Sequence, residues 1–222
     1  DDQLMIKDTE MGLDLALPFA LPKLPCDLNL SARLPAGAML VLERDQTGTL
    51  RTAYLTDQGK RHGQCQLFFS DGKVQAEMFY SQGALHGPSQ FYSEEGEVLS
   101  CVFFCEGKRQ GKGRLYYLSG AVASVQRFKE GVWEGVQEYF YETGAPKSRL
   151  PYCAGRLHGQ VELFWEAGSL KRQATYVDGV REGKDQIWNE QGRLIDEGEY
   201  HKGQPCGVHR QWFSDGKRKE EI

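Results

Sequence analysis

Three columns of glycine recur at a fixed step of 24 residues, and no other property of the chain restricts its fold so strongly. The first is Gly59, Gly83, Gly107, Gly131, Gly155, Gly179 and Gly203. The second follows four residues later at Gly63, Gly87, Gly111, Gly135, Gly159, Gly183 and Gly207. The third, nine further on, is Gly72, Gly96, Gly120, Gly144, Gly168, Gly192 and Gly216. Seven in each column make 21 of the 26 glycines. Such a period marks a repeat array whose members bury surface against their neighbours instead of around one large core.

Each repeat reads as strand, turn, strand. Gln66 to Phe69 is extended, Ser70-Asp71-Gly72 turns the chain, Val74 to Tyr80 returns, and the G-x-x-x-G segment leads into the next repeat. Asp-Gly between apolar runs is a hairpin signal. A leucine-rich or helical repeat fails, because apolar positions alternate in twos and three glycines per repeat would weaken any helix. The fold class expected is all-β: an elongated, single-layer antiparallel meander of about seven 24-residue β-hairpin repeats. At ~10 Å per repeat its length would be ~70 Å.

Residues 56–222 form the array, and 39–55 read as a degenerate first half-repeat, with Gly48 one period before Gly72 but Pro35 and Met39 where glycines are due. Residues 1–38 are a non-repeat N-terminal arm or cap. Within it Leu13 to Pro25 is apolar and broken by Pro18, Pro22 and Pro25, which excludes a helix and a central strand. An extended arm covering a sheet face and an arm that docks a partner are the two readings.

Two aromatic columns are assigned by two-residue alternation to one inner face. They are Phe68, Tyr92, Tyr116, Phe140, Phe164, Trp188 and Trp212, and, twelve residues later, Tyr80, Phe104, Phe128, Tyr152, Tyr176 and Tyr200. On the opposite phase an apolar ribbon runs through Leu67, Phe91, Leu115, Tyr139, Leu163 and Ile187, with Phe69, Tyr117, Tyr141, Trp165 and Phe213 two residues on. Contiguous apolar surface marks an interaction site, unless the N-terminal arm or a second copy in a homo-oligomer covers it. The expected partner-binding residues are Leu67, Phe69, Phe91, Tyr117, Tyr139, Tyr141, Leu163 and Trp165. Trp133, at a hairpin tip where other repeats carry Arg or Leu, is a further contact anchor or folds back onto Tyr152 or Phe140.

A formal net charge of −4 argues against a nucleic-acid binder and offers no global attraction to anionic lipid. The six cysteines, Cys26, Cys65, Cys101, Cys105, Cys153 and Cys206, have no metal or disulfide spacing. Cys105 and Cys153 would stand ~19 Å apart, too far to bridge. Unpaired thiols favour the cytoplasm, with secretion left open. No apolar run is long enough to span a bilayer.

The segments Gly59-Lys60-Arg61-His62-Gly63, Gly83-Ala84-Leu85-His86-Gly87 and Gly155-Arg156-Leu157-His158-Gly159, each followed by aromatics and a turn glycine, resemble MORN repeats. They are similar above all to the bacterial MORN-variant repeats labelled antitoxin-type. The common repeat has 23 residues and a further glycine two after the second column; here the step is 24 and only Gly113 keeps that glycine. The resemblance implies a ribbon of hairpins used as an interaction platform, in scaffolding, at membranes or in toxin neutralisation.

No catalytic constellation emerges, and no cofactor or metal is expected. His62, His86 and His158 share a column at ~10 Å steps, whereas zinc ligands lie ~2 Å from one metal. The function expected is therefore a non-enzymatic protein-protein scaffold. The alternative is a peripheral membrane-lipid module using Lys108, Arg109, Lys112 and Arg114.

Overall fold

The computed structural model describes residues 5–6 and 38–221. Every regular element among them is a β-strand, and the strands fall into two compact units, one ending at Gly120 and the other beginning at Ala121. In each unit consecutive strands pair antiparallel as an open, single-layer meander. A parallel pairing sets Met5–Ile6 beside Met39 and Leu40. The expected arm from Leu13 to Pro25, and Cys26, lie outside the described residues.

Two turns of different kinds alternate. After Val74–Ser81 a two-residue turn, Gln82-Gly83, leads into Ala84–Tyr92, with Ser81 opposite Ala84. Both turn residues have positive φ, 49° and 91°. This type I′ geometry matches the right-handed twist of the strands. It places a non-glycine residue in the left-handed region once per repeat, at Gln58, Gln82, Glu106, Glu130, Ala154, Asp178 and Lys202, each at a strain of roughly 1 kcal/mol. The other turn holds three residues: the Phe69 amide donates to Lys73 O at 2.8 Å and the Gly72 amide to Phe69 O at 3.0 Å. Asp-Gly thus belongs to this longer turn, and the two-residue turn sits at the first glycine column.

The second glycine column marks a bulge. Tyr54 pairs with Cys65 and Thr56 with Arg61, so Leu55 alone faces His62, Gly63 and Gln64. Gly63 has φ +87°, and a Cβ there would lie 3.3 Å from Leu55 Cδ1. A further register shift between Leu67 and Phe68 leaves Gln75 as an extra residue opposite them.

These irregularities overturn the face assignment made from alternation. Tyr80 packs with Tyr54, Leu67 and Leu85 on a core of Cys65, Ala76 and Met78. The ring column begun by Phe68 lies on the other side. Tyr92 there shares its hydroxyl proton between Glu77 Oε2 (3.1 Å) and Gln90 Oε1 (2.7 Å), and the Arg149 guanidinium stands 5.3 Å from the Phe164 ring centre. The two aromatic columns therefore occupy opposite faces, because the turn and its bulge break the two-residue count between residues 68 and 80.

Candidate partner-binding face

Hairpin tips of successive repeats are locked together. The Gly83 amide donates to Arg61 O at 2.8 Å, and the Gln82 amide to His62 Nδ1 at 3.3 Å. The same two bonds recur as Gly107 to Leu85 O (2.7 Å) and Glu106 to His86 Nδ1 (3.1 Å). Further on, a carboxylate takes the acceptor's place: the Ala154 amide donates to Glu134 Oε2 at 2.7 Å and the Lys202 amide to Glu182 Oε2 at 2.8 Å. The histidine column thus supplies acceptors for the strained turn of the following repeat. His201 Nδ1 adds a 2.7 Å contact to Glu182, and the Lys202 amide, ahead of this histidine, holds the Glu182 carboxyl below the usual range.

In three repeats the residue just before the acceptor covers a ring. Arg61 lies over Tyr54 (4.3 Å) and Tyr80 (5.5 Å), and Arg181 over Tyr200 (4.1 Å). Trp133 does the same to Tyr152, edge-on at 4.8 Å and 69°. Of the two readings of Trp133, the structure shows the fold-back onto Tyr152.

The ribbon residues line up by register. In the first unit one row on the Tyr80 face reads Thr52, Leu67, Ala76, Phe91, Ser100, Leu115. In the second it reads Ser124, Tyr139, Ser148, Leu163, Arg172, Ile187, Asp196, Gln211. Large apolar side chains alternate with Ala or Ser as far as Leu163, and from there with Arg172 and Asp196. Phe91 is 42% exposed and Leu67, Leu115, Tyr139, Leu163 and Ile187 are half-buried. Leu67, Phe91, Tyr139 and Leu163 are therefore in rows of this kind.

Phe69, Tyr117, Tyr141 and Trp165 instead open the three-residue turns. Tyr141 donates its hydroxyl to Phe164 O at 2.8 Å and Trp165 its indole N–H to Trp188 O at 3.1 Å, while Lys171 Nζ stands 4.4 Å from the Trp165 ring. Where this column turns polar, Ser93 Oγ accepts from the Glu95 and Glu97 amides and Asn189 Oδ1 from Arg193. Tyr141 and Trp165 thus clamp the next repeat, whereas Ser93 and Asn189 cap their own turns.

The opposite face carries a polar ladder: Gln66, Glu77, Gln90, Cys101, Arg114 in the first unit, and Glu138, Arg149, Glu162, Gln173, Gln186, Glu197, Arg210 in the second. Tyr92 stands over it, and burial, followed by the Glu77 charge, pushes its phenol up to about 12. Of the basic set, Lys108, opposite Cys105, and Lys112, two residues from Arg114, share the face of Arg114, and Arg109 alone departs. Arg109 pairs with Phe104 and Arg114 with Cys101, three residues apart on one regular strand, so the two arginines point to opposite sides.

One cluster escaped the sequence reading. Asp185, 8% exposed, accepts from Arg172 through Nε (2.9 Å) and Nη2 (2.5 Å) and from Arg181 Nη1 (3.1 Å). Beside it Asp196 accepts from His209 Nε2 (3.0 Å) and Gln211 Nε2 (2.9 Å). The available signal was columnar: the places of Arg172 and Asp185 hold Ser148 and Val161 one repeat earlier. Among the described residues no three His, Cys, Asp or Glu side chains gather as a metal site, and no helix is long and apolar enough to cross a membrane. Burial pushes the Cys65 and Cys101 thiols up, away from a reactive thiolate.

Fold and rows together define an open all-β repeat sheet that presents side chains in lines. Residues 61–82, 133–154 and 157–178 each match the family model described as MORN repeat variant, so the chain carries MORN-type repeats at these three places. Each match opens at the residue before a tip acceptor and closes at the positive-φ residue of the next tip. No curated protein matches the chain significantly.

Proposed function

We propose that this protein is a non-enzymatic scaffold that binds a partner protein along the large–small rows of the Tyr80 face. The observation that carries the reading is Phe91, a phenyl ring 42% exposed between Ala76 and Ser100 on a face otherwise packed around Cys65, Ala76 and Met78. A monomeric sheet gains nothing from a ring held clear of its neighbours, whereas an aromatic standing over small residues supplies contact area to a partner. MORN-type repeats generally serve protein or membrane contact, which supports the same reading. Toxin neutralisation would be one form of such binding. A formal net charge of −4 gives no global attraction to anionic lipid, which favours a protein over a lipid surface.

The test is capture from native lysate by the intact chain and by Phe91→Ser. Ser100 and Ser124 already stand elsewhere in such rows, so the variant should fold. Loss of the captured protein is expected; an unchanged captured set would sink the reading.

A further inference from the structure

The row of the second unit has a charged member. Leu163, Arg172 and Ile187 are consecutive, and Arg172 is tied to Asp185, which also holds Arg181. The repeats before it manage without this triad: Ala76, Ser100, Ser124 and Ser148 take the place of Arg172, and Cys65, Ser89, Gly113, Gln137 and Val161 that of Asp185; in the repeat after it Asp196 and His209 hold the two places and contact each other at 3.0 Å. The scaffold does not need it. Burying ions in place of apolar residues is neutral or unfavourable for stability, so the triad requires another reason.

Two guanidiniums on one carboxylate leave a net charge of +1, and most of their donors are uncommitted. Arg172 uses Nε and Nη2 on Asp185, which leaves both Nη1 protons; Arg181 uses only Nη1, with its plane against Tyr200. The side chains are 32% and 36% exposed, so they are fixed yet reachable. The nearest other acid on the row, Asp196, keeps its own negative charge but is hydrogen-bonded to His209 and Gln211 and to neither arginine, so the +1 is that of the triad itself.

We propose that Arg172 and Arg181 form a carboxylate receptor, and that the partner is an extended polypeptide segment with an Asp or Glu set between two apolar residues that rest on Leu163 and Ile187. A carboxylate is a monoanion and cancels the +1; a phosphoryl dianion would leave excess charge on a chain that is already at −4. Leu163 and Ile187 are two strands apart, ~10 Å, or about three residues of a polyproline II segment at ~3.1 Å each, whose three-residue turn sets i and i+3 on the same side. This rests on the scaffold reading above and adds the partner's chemistry.

The test titrates the whole chain with the capped peptide Ser-Leu-Glu-Ala-Leu-Ser and its twin bearing Gln for Glu, followed by calorimetry and by the arginine Nε–H signals. The Glu peptide should bind about tenfold tighter and move the Arg172 and Arg181 signals. A triple variant, Arg172→Ser with Asp185→Val and Arg181→Leu, installs the side chains of the preceding repeat (Ser148, Val161 and Leu157). It should keep the fold and lose the preference. Equal binding of the two peptides, no binding of either, or a preference that survives the triple variant would overturn the proposal. So would inorganic phosphate displacing the Glu peptide more effectively than acetate. If both peptides bind equally and both are lost with Leu163→Ser, the docking row stands and only its charge chemistry fails.

Discussion

His86 Nδ1 accepts the backbone N–H of Glu106, 3.1 Å away and 20 residues further along the chain. That amide belongs to a left-handed residue at φ 47°, so the bond supports the most strained position of each repeat. Replacing His86 by Ala should destabilise the first unit by about 1 kcal/mol and speed exchange of the Glu106 amide. His86→Gln should restore most of both, since a glutamine carbonyl can accept in the same place. Exchange rates unchanged in the alanine variant would deny the bond its role.

Glu182 plays the same part with a charge. Its carboxyl is held below 4.5 by the Lys202 amide and then by His201. A depressed folded-state value adds stability that is complete above 4.5 and lost as pH falls through the lower value in the native state. Acid unfolding of Glu182→Gln, which keeps an acceptor but cannot titrate, should therefore show a weaker pH dependence below 4.5 than the parent. Parallel curves would refute this.

Tyr92 reports at the alkaline end. Its phenol is raised from 10.0 to about 12 by burial and by Glu77. A raised value means stability that is full below pH 10 and lost as pH climbs towards 12. Tyr92→Phe should remove that alkaline loss while costing about 1 kcal/mol at neutral pH for the missing hydroxyl bond. Spectroscopic titration of the phenolate gives the direct check.

Gln137 is wholly buried, and its amide replaces backbone pairing at a bulge. Its Oε1 accepts from the Arg127 amide at 2.7 Å, and its Nε2 donates to Arg127 O and Gly135 O at 3.1 Å each. Gln137→Ala strands the Arg127 amide, while Arg127 O keeps the Glu134 amide at 3.0 Å, and opens a void, so a loss of about 2–4 kcal/mol in chemical denaturation is expected. A loss below 1 kcal/mol would mean that the backbone re-pairs on its own.

Much of the architecture was legible beforehand. The hairpins, the places of both turns and, among the described residues, the absence of helices follow from glycine spacing. The alignment of Leu67, Phe91, Tyr139 and Leu163 in rows was legible for the same reason, since residues 24 apart repeat one environment. Trp133 seemed out of pattern only because the ring it covers, Tyr152, is 19 residues away. The Arg172–Asp185–Arg181 cluster was hidden likewise, since its members lie on two strands and meet only through register.

What the chain alone determined is local. A positive φ is a property of one residue, and glycine at fixed intervals declares where the backbone must bend whatever surrounds it. Which face a side chain occupies is decided elsewhere. The bulge at Gly63 and the register shift at Phe68 put Tyr80 and Phe68 on opposite sides, although twelve residues should have kept them together. Bulges exist only in paired strands, so sidedness, and with it the composition of any binding face, belongs to the tertiary structure.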